Sequence, residues 1–297
     1  MQKKAQKKAF SLVELSVVVV IVTILVAGIF MGSGLVQNAR LSNAKAHTAK
    51  SVVRDVEGLL AWYETSSKDS FNPGETYDGA QISEWRDIAP SSTIGTTNHN
   101  VLEVSVPSAN IIFSETGINN IPSIEFSGSV DSNSKLSLSS FYQGSSVQKT
   151  IFLVFKTLGS LTVPEVIVDS SSGSSHSVAV KDANEVTLNA GSSASTSTVS
   201  NPASFSISND YIMATYFDGS NSRVYLNDAE NKVGAGNISP GTSELTGLTV
   251  GSDKDAATEF TGLISEIIIF NRILKIQERK DIMNYLSTKY NISVSGL

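Results

Sequence analysis

The sequence predicts a long N-terminal helix leading into an all-β sandwich that is closed by a short C-terminal helix. Three observations carry this prediction. No charged side chain occurs between Glu14 and Arg40, across a mostly apolar run. From Leu59 onward, short runs rich in Val, Ile, Phe and Tyr are separated by Gly, Ser, Asn and Asp, the spacing of a sandwich. Near the end, "IQERKDIMNYLSTKY" places Ile276, Arg279, Ile282, Met283 and Leu286 on one helical face.

The strongly apolar part of the first helix, Leu15 to Met31, is interrupted only by Ser16, Thr23 and Gly28. Counted on through Val36 it is about 22 residues, roughly 33 Å of helix against a ~30 Å hydrocarbon core. Lys3, Lys4, Lys7 and Lys8 precede it and predict a cytoplasmic N-terminus, with the rest of the chain sent out of the cytoplasm. A secretory signal peptide cut near Ala27-Gly28 and a plain single-pass anchor both fit these features, though the run is long for the former. Neither gives Glu14 a role. An acidic group costs ~3 kcal/mol at the centre of a membrane helix, and less at its edge.

Past the bilayer, Leu41, Ala44, Thr48, Val52, Val56 and Leu59 follow steps of three or four, with Arg40, Lys45, Lys50 and Arg54 on other faces. The pattern predicts one helix from about Phe10 to Glu57, broken near Gly58, whose lower half docks on the following domain. His47 reads as a surface histidine.

In the outer domain, Val101 to Val106 and Lys135 to Ser139 alternate as half-buried strands do. Lys149 to Lys156 and Ile264 to Phe270 read as central strands. "DGSN" at Asp218 turns a hairpin between Tyr211–Phe217 and Arg223–Leu226, and "NDAEN" at Asn227 turns the next. Ser170–Ser177 and Ser192–Ser200 read as loops or edge connections. Asn291 suits a left-handed terminator of the last helix.

Bulk properties narrow the function classes. The 297 residues carry a net charge of −6 with dispersed acids, which argues against a nucleic-acid partner, since phosphate binding needs a basic patch. There is no cysteine, so disulfides, thiolate metal sites and cysteine nucleophiles are excluded together. An outer domain of roughly 240 residues is large enough to fold without staples.

Lys7-Lys8-Ala9-Phe10-Ser11-Leu12-Val13-Glu14-Leu15 resembles the class III signal of type IV pilins and pseudopilins. The resemblance implies cleavage by prepilin peptidase between Ala9 and Phe10, N-methylation of Phe10, and retention of the hydrophobic helix. The family usually has Gly where this chain has Ala9, the next smallest side chain. Cleavage would create an amine at Phe10, and Glu14 of one subunit would pair with the Phe10 amine of its neighbour in a bundle of pilin helices. A buried charge pair tolerates such a site and favours one register, whereas a lone charge does not.

The stretches Gly58 to Tyr63, Ile82 to Asp87 and Ile121 to Gly128, with "GLISEIIIFNRILKIQERKDIMNYLSTKYNI" from Gly262 to Ile292, resemble the concanavalin A-like lectin/glucanase superfamily in its laminin-G-like branch. That likeness implies a jelly-roll sandwich over 58–297, after a leader at 1–9, a membrane and filament-core helix at 10–36 and an amphipathic extension at 37–57.

Glucanases of that superfamily carry a Glu-x-Asp-x-x-Glu strand, because two carboxylates must flank the scissile bond. Here Glu266 has Ile268 two residues on. There is no Gly-x-Ser-x-Gly elbow, and His99 and His176 lie in polar, loop-like contexts. The head reads as a non-enzymatic binding module. Trp62 and Trp85 offer rings for stacking on a glycan, or for packing a core. Asp131, Asp218, Asp253 and Asp255 offer oxygens to Ca²⁺, although tight turns use the same residues; no other cofactor is indicated.

The expected protein is therefore a pilin-like subunit of the bacterial inner membrane, single-pass, reaching a surface filament after assembly. Its lectin-like head would bind a glycan or surface protein, in a minor or tip position. The alternative is a membrane-anchored module that never polymerises.

Overall fold

A computed structural model describes residues 11–91, 99–104, 107–129, 134–160, 163–181, 185–191, 197–200, 206–234, 236 and 238–297, the side chains of 28–33 and 197–200 excepted. Ala9, Phe10 and Asp131 lie outside these residues. Helix α1 spans Leu12–Ala49 and opens with a capping box: the Val13 N–H donates to Ser11 Oγ, and the Ser11 N–H donates to Glu14 Oε2 at 2.9 Å.

The predicted helix is shorter than its periodicity suggests. It ends at Ala49, and Ser51 caps a separate 3₁₀ turn, Val52–Asp55. This shift in phase leaves Val52 39% exposed and buries Val53 instead. The stripe holds as far as Ala44 and Thr48, both buried. Gly58 turns the chain at φ +83°, where a Cβ would meet the Arg272 side chain at 3.2 Å.

Fifteen strands follow among the described residues: β1 (Leu59–Glu64), β2 (Glu84–Arg86), β3 (Val101–Glu103), β4 (Ile111–Ile118), β5 (Ile121–Ser127), β6 (Leu136–Leu138), β7 (Lys149–Thr157), β8 (Glu165–Asp169), β9 (Ser175–Lys181), β10 (Glu185–Gly191), β11 (Ser197–Ser200), β12 (Asp210–Phe217), β13 (Arg223–Leu226), β14 (Leu248–Val250) and β15 (Thr261–Phe270). Helix α2 (Ile276–Tyr290) ends on Asn291 in the left-handed conformation, φ 52°, as the sequence suggests.

One sheet runs β13-β12-β7-β15-β5-β4; the other runs β11-β10-β9-β8-β14-β6-β3-β2. On one edge β15 pairs with β7. On its other edge it pairs first with β5 and then with β1, end to end. The "DGSN" hairpin forms as predicted between β12 and β13. After "NDAEN" the chain folds back irregularly along β13, through Val233 N–H to Val224 O, rather than as a strand.

Two apolar layers result. One fills the space between the sheets and includes Tyr63, Trp85, Leu153 and Ile267. The other lies between the first sheet and the helices and includes Ala44, Trp62, Phe152, Ile268 and Leu286. The β7–β15 sheet is therefore covered on both faces, which explains the near-continuous apolar runs of β7 and β15. Each such side chain contributes about 1.5–3 kcal/mol on full burial.

Candidate functional site

The seam between helix and head is built by a bulge. Pairing of β15 with β7 shifts register between Ile264 and Glu266, so Ser265 is the extra residue. Ile264 and Ile267 belong to the inner layer while Leu263 and Ile268 face the helices, and the bulge turns Glu266 to the helix side. Trp62 and Glu64 on β1, two residues apart, point the same way.

There Glu266 Oε1 accepts from Trp62 Nε1 at 2.7 Å and Tyr285 Oη at 2.8 Å, while Oε2 accepts from Lys289 Nζ at 2.7 Å and Tyr290 Oη at 2.9 Å. Lys289 Nζ also donates to Glu64 Oε2 at 3.0 Å. Glu64 accepts further from the N–H groups of Ser66 and Ser67 at 2.8 Å each. The side chains of Glu64, Glu266 and Lys289 have no exposure in these pairs. Burial pushes Glu64 up, but Lys289 and the Ser66 donors outweigh it and hold the carboxyl below its usual range. Burial likewise opposes the Lys289 charge, and the two carboxylates outweigh it to raise that amine. Burial, then Glu266, carries Tyr285 and Tyr290 well above the usual phenol range.

The network reaches α1 through Thr48 Oγ1, 3.3 Å from Tyr285 Oη. Towards the N-terminus of α1 the seam is polar: Arg40 Nη1 donates to the Asn119 carbonyl at 2.9 Å, and Gln37 Nε2 to the Glu115 carbonyl at 3.4 Å. Above α1's docked half, Leu12 to Val26 present apolar side chains outward, with Leu12 85% and Ile24 66% exposed. Among the described residues no helix is long and apolar enough to cross a membrane; residues 28–33, within the predicted span, contribute no described side chains.

Both tryptophans are corrected as stacking platforms. Trp62 and Trp85 have 0% exposure; one bonds Glu266, and the other donates to the Glu64 carbonyl at 3.1 Å. Neither face is open to a sugar. His176 is also corrected: it lies on β9, fully buried, 4.0 Å from the Phe217 ring centroid. Its Nδ1–H donates to the Ser243 carbonyl at 3.0 Å, and burial pulls the imidazole down to about 3.

The described acidic candidates are each held by their own neighbours. Asp218 Oδ1 accepts from Gln148 Nε2 at 2.7 Å, Asp253 Oδ1 from the Ala257 N–H at 2.8 Å, and Asp255 Oδ2 from Lys254 Nζ at 2.6 Å. Among the described residues no group of three or more His, Asp or Glu is placed to hold a metal ion.

Among the described residues, α1 and α2 pack on the first sheet rather than on the head's second sheet. Beside β3 and β6 lies an open pocket of about 620 Å³, lined by His99, Glu103, Ser137, Ser139, Ser171 and Ser172 among others. It offers hydroxyls, an imidazole and a carboxylate, without an aromatic platform. No spacing in the sequence marks it, because its residues come from three separate segments.

Comparison with known proteins fits these pieces. Residues 127–278 match the model of the concanavalin A-like lectin/glucanases superfamily, in its laminin-G form. Residues 4–30 match the prokaryotic N-terminal methylation motif. No curated protein matches the chain in sequence. Among solved structures, the binding domain of Paraclostridial Mosquitocidal Protein 1 aligns with TM-score 0.53 at 12% identity, over 80% of this chain and 53% of that one. Trypanosoma rangeli sialidase aligns with TM-score 0.50 at 14% identity, over 78% of this chain and 33% of that one. Domain 4 of AbnA, a GH43 extracellular arabinanase from Geobacillus stearothermophilus, in complex with arabinotriose, aligns with TM-score 0.49 at 18% identity, over 75% and 97%. The chain thus spans about half of the mosquitocidal binding domain and about a third of the sialidase. At these identities the likeness is one of fold.

Proposed function

The chain belongs to the concanavalin A-like lectin/glucanases superfamily and carries the prokaryotic N-terminal methylation motif, and from this premise we propose that it is a pilin-like subunit displaying a carbohydrate-binding head. Prepilin peptidase cuts between Ala9 and Phe10, Phe10 is N-methylated, and α1 both crosses the inner membrane and joins neighbouring subunits. The head lies outside the cytoplasm and reaches the surface in a filament, as a minor or tip subunit.

The observation that carries this reading is that the motif-bearing helix docks on the head without a linker. Ala44, Thr48 and Val53 are buried in the layer beneath α2, so force on the helix passes into the sheet that the helices cover. The second sheet, with its hydroxyl-lined pocket, is left to face a glycan or surface protein. Binding rather than cleavage is supported by Glu266, whose oxygens are committed to Trp62, Tyr285, Lys289 and Tyr290. His176 points the same way: it is fully buried, with its Nδ1–H committed to the Ser243 carbonyl.

Intact mass and N-terminal sequence of the protein from its own cells test the proposal. A chain beginning at methylated Phe10 supports it. Retention of residues 1–9 would favour a membrane-anchored, non-polymerising binding module, and a start beyond Gly28 a conventional signal peptide. Glu14→Ala is expected to insert normally and to abolish assembly; normal filaments from that variant would remove the register role of Glu14.

A further inference from the structure

A second buried lysine has no part in the seam or in the open pocket. Lys149 opens β7 and is 0% exposed. Its Nζ donates to the Ser146 carbonyl, to Asn271 Oδ1 at 2.8 Å, to Ser146 Oγ at 3.2 Å and to the Gln148 carbonyl at 3.4 Å. Every oxygen it contacts is uncharged. Ser146 and Gln148 belong to the loop before β7, and Asn271 directly follows β15.

We propose that these oxygens form a cation site for a primary ammonium group, which the chain fills with its own lysine. Carbonyl, amide and hydroxyl oxygens converging on one point are the ligand set that hard cations take. Left empty, their dipoles would face one another negative end to negative end. An ammonium offers three donors in a compact charge, and here it ties the loop to the end of the central strand. The Ser146 N–H completes the link by donating to the same Asn271 Oδ1 at 2.8 Å. Burial, offset only in part by Glu244, lowers the Lys149 amine to about 8, as a charge held without a close counter-ion requires.

Amide hydrogen exchange at Ser146, in the full chain in detergent, reads the site directly. Lys149→Ala removes Cγ, Cδ, Cε and Nζ, the atoms of n-propylammonium. Exchange at Ser146 is expected to accelerate about tenfold or more, the loss of roughly one hydrogen bond's worth of protection. Propylammonium chloride is expected to restore protection, whereas tetramethylammonium chloride at equal ionic strength, having no N–H, is not. Lys149→Met keeps the volume without charge or donors, and should exchange fast in either salt. Wild-type protection in the Met variant would mean that packing orders the rim, and would overturn the proposal. So would an Ala variant that responds equally to both salts, or to neither. Should the Ala variant not fold, the Met variant against wild type decides.

Discussion

Among the described residues two lysines vanish from solvent, Lys289 and Lys149, and their surroundings push them in opposite directions. Lys289 sits at the seam between two carboxylates and is raised; Lys149 sits at the rim among neutral oxygens and is lowered to about 8. Both are completely buried. Burial opposes the charge in each case, so the difference is the counter-charge. At the seam, charge is matched by charge and joins three elements, β1, β15 and α2. At the rim, charge is met by dipoles and joins a loop to a strand end.

The largest expected effect follows from that contrast. Lys289→Met strands two buried carboxylates side by side, and removing one member of a buried pair typically costs about 3–5 kcal/mol. Lys149→Met removes a charge that burial already disfavours. Its global cost should be far smaller, about 1 kcal/mol or less, because the lost hydrogen bonds are offset by relief of desolvation. Urea denaturation of both variants, in the same detergent, compares them. Equal losses would break the contrast and imply that Lys149 has a counter-charge.

The acid end of the pH profile comes next. His176 stays neutral in the native state down to about pH 3, while an unfolded histidine takes on its second ring proton near 6.5. Between those values the unfolded chain binds more protons, so stability falls as pH drops from about 6.5 towards 3. Glu64, held low, adds a loss in the same direction once pH falls below the ordinary carboxylate range. At the alkaline end the lysines diverge. Native Lys149 gives up its proton near 8 and an unfolded lysine near 10.4, so its share of stability rises with pH between those values. The Lys289 contribution is intact there, and is lost only as pH climbs through its raised native value. Denaturation midpoints from pH 4 to 10 check this. Lys149→Met should flatten the alkaline rise, and His176→Gln the acid fall; a profile unchanged in either variant would contradict the corresponding assignment.

Much of the scaffold was legible because its signals are local. The Phe10–Glu14 motif, the strands around Ile151 and Ile267, and the α2 face ending on Asn291 each lie within one short window. The seam was not. Nothing in "LSTKY" marks Lys289 as buried, and its partners lie 23 and 225 residues away. Nor does alternation alone reveal the bulge at Ser265 that re-aims Glu266, since "ISEIIIF" fits either phase. Val52 was misplaced for a related reason: Ser51 caps its own turn, so the helical period stops before Val52. The tryptophans sit on strands whose inner or outer face depends on pairing, which one sequence does not reveal.

The smallest effect probes how firmly the pilin helix is joined to this seam. Thr48 Oγ1 lies 3.1 Å from the Ala44 carbonyl and 3.3 Å from Tyr285 Oη, yet a hydroxyl has one proton to give. Tyr285 Oη already donates to Glu266 at 2.8 Å and accepts from Lys289 at 3.3 Å, so losing Thr48 leaves it satisfied. Thr48→Val should therefore cost about 1 kcal/mol or less. In a double-mutant cycle with Tyr285→Phe, the coupling should also stay below about 1 kcal/mol. The helix would then be held to the head by the apolar burial of Ala44 and, in the turn that follows it, of Val53, with the charged network acting within the head alone. A coupling above about 2 kcal/mol would extend the Lys289 network into α1, and would make the seam, rather than the apolar layer, the path by which load on α1 reaches the head.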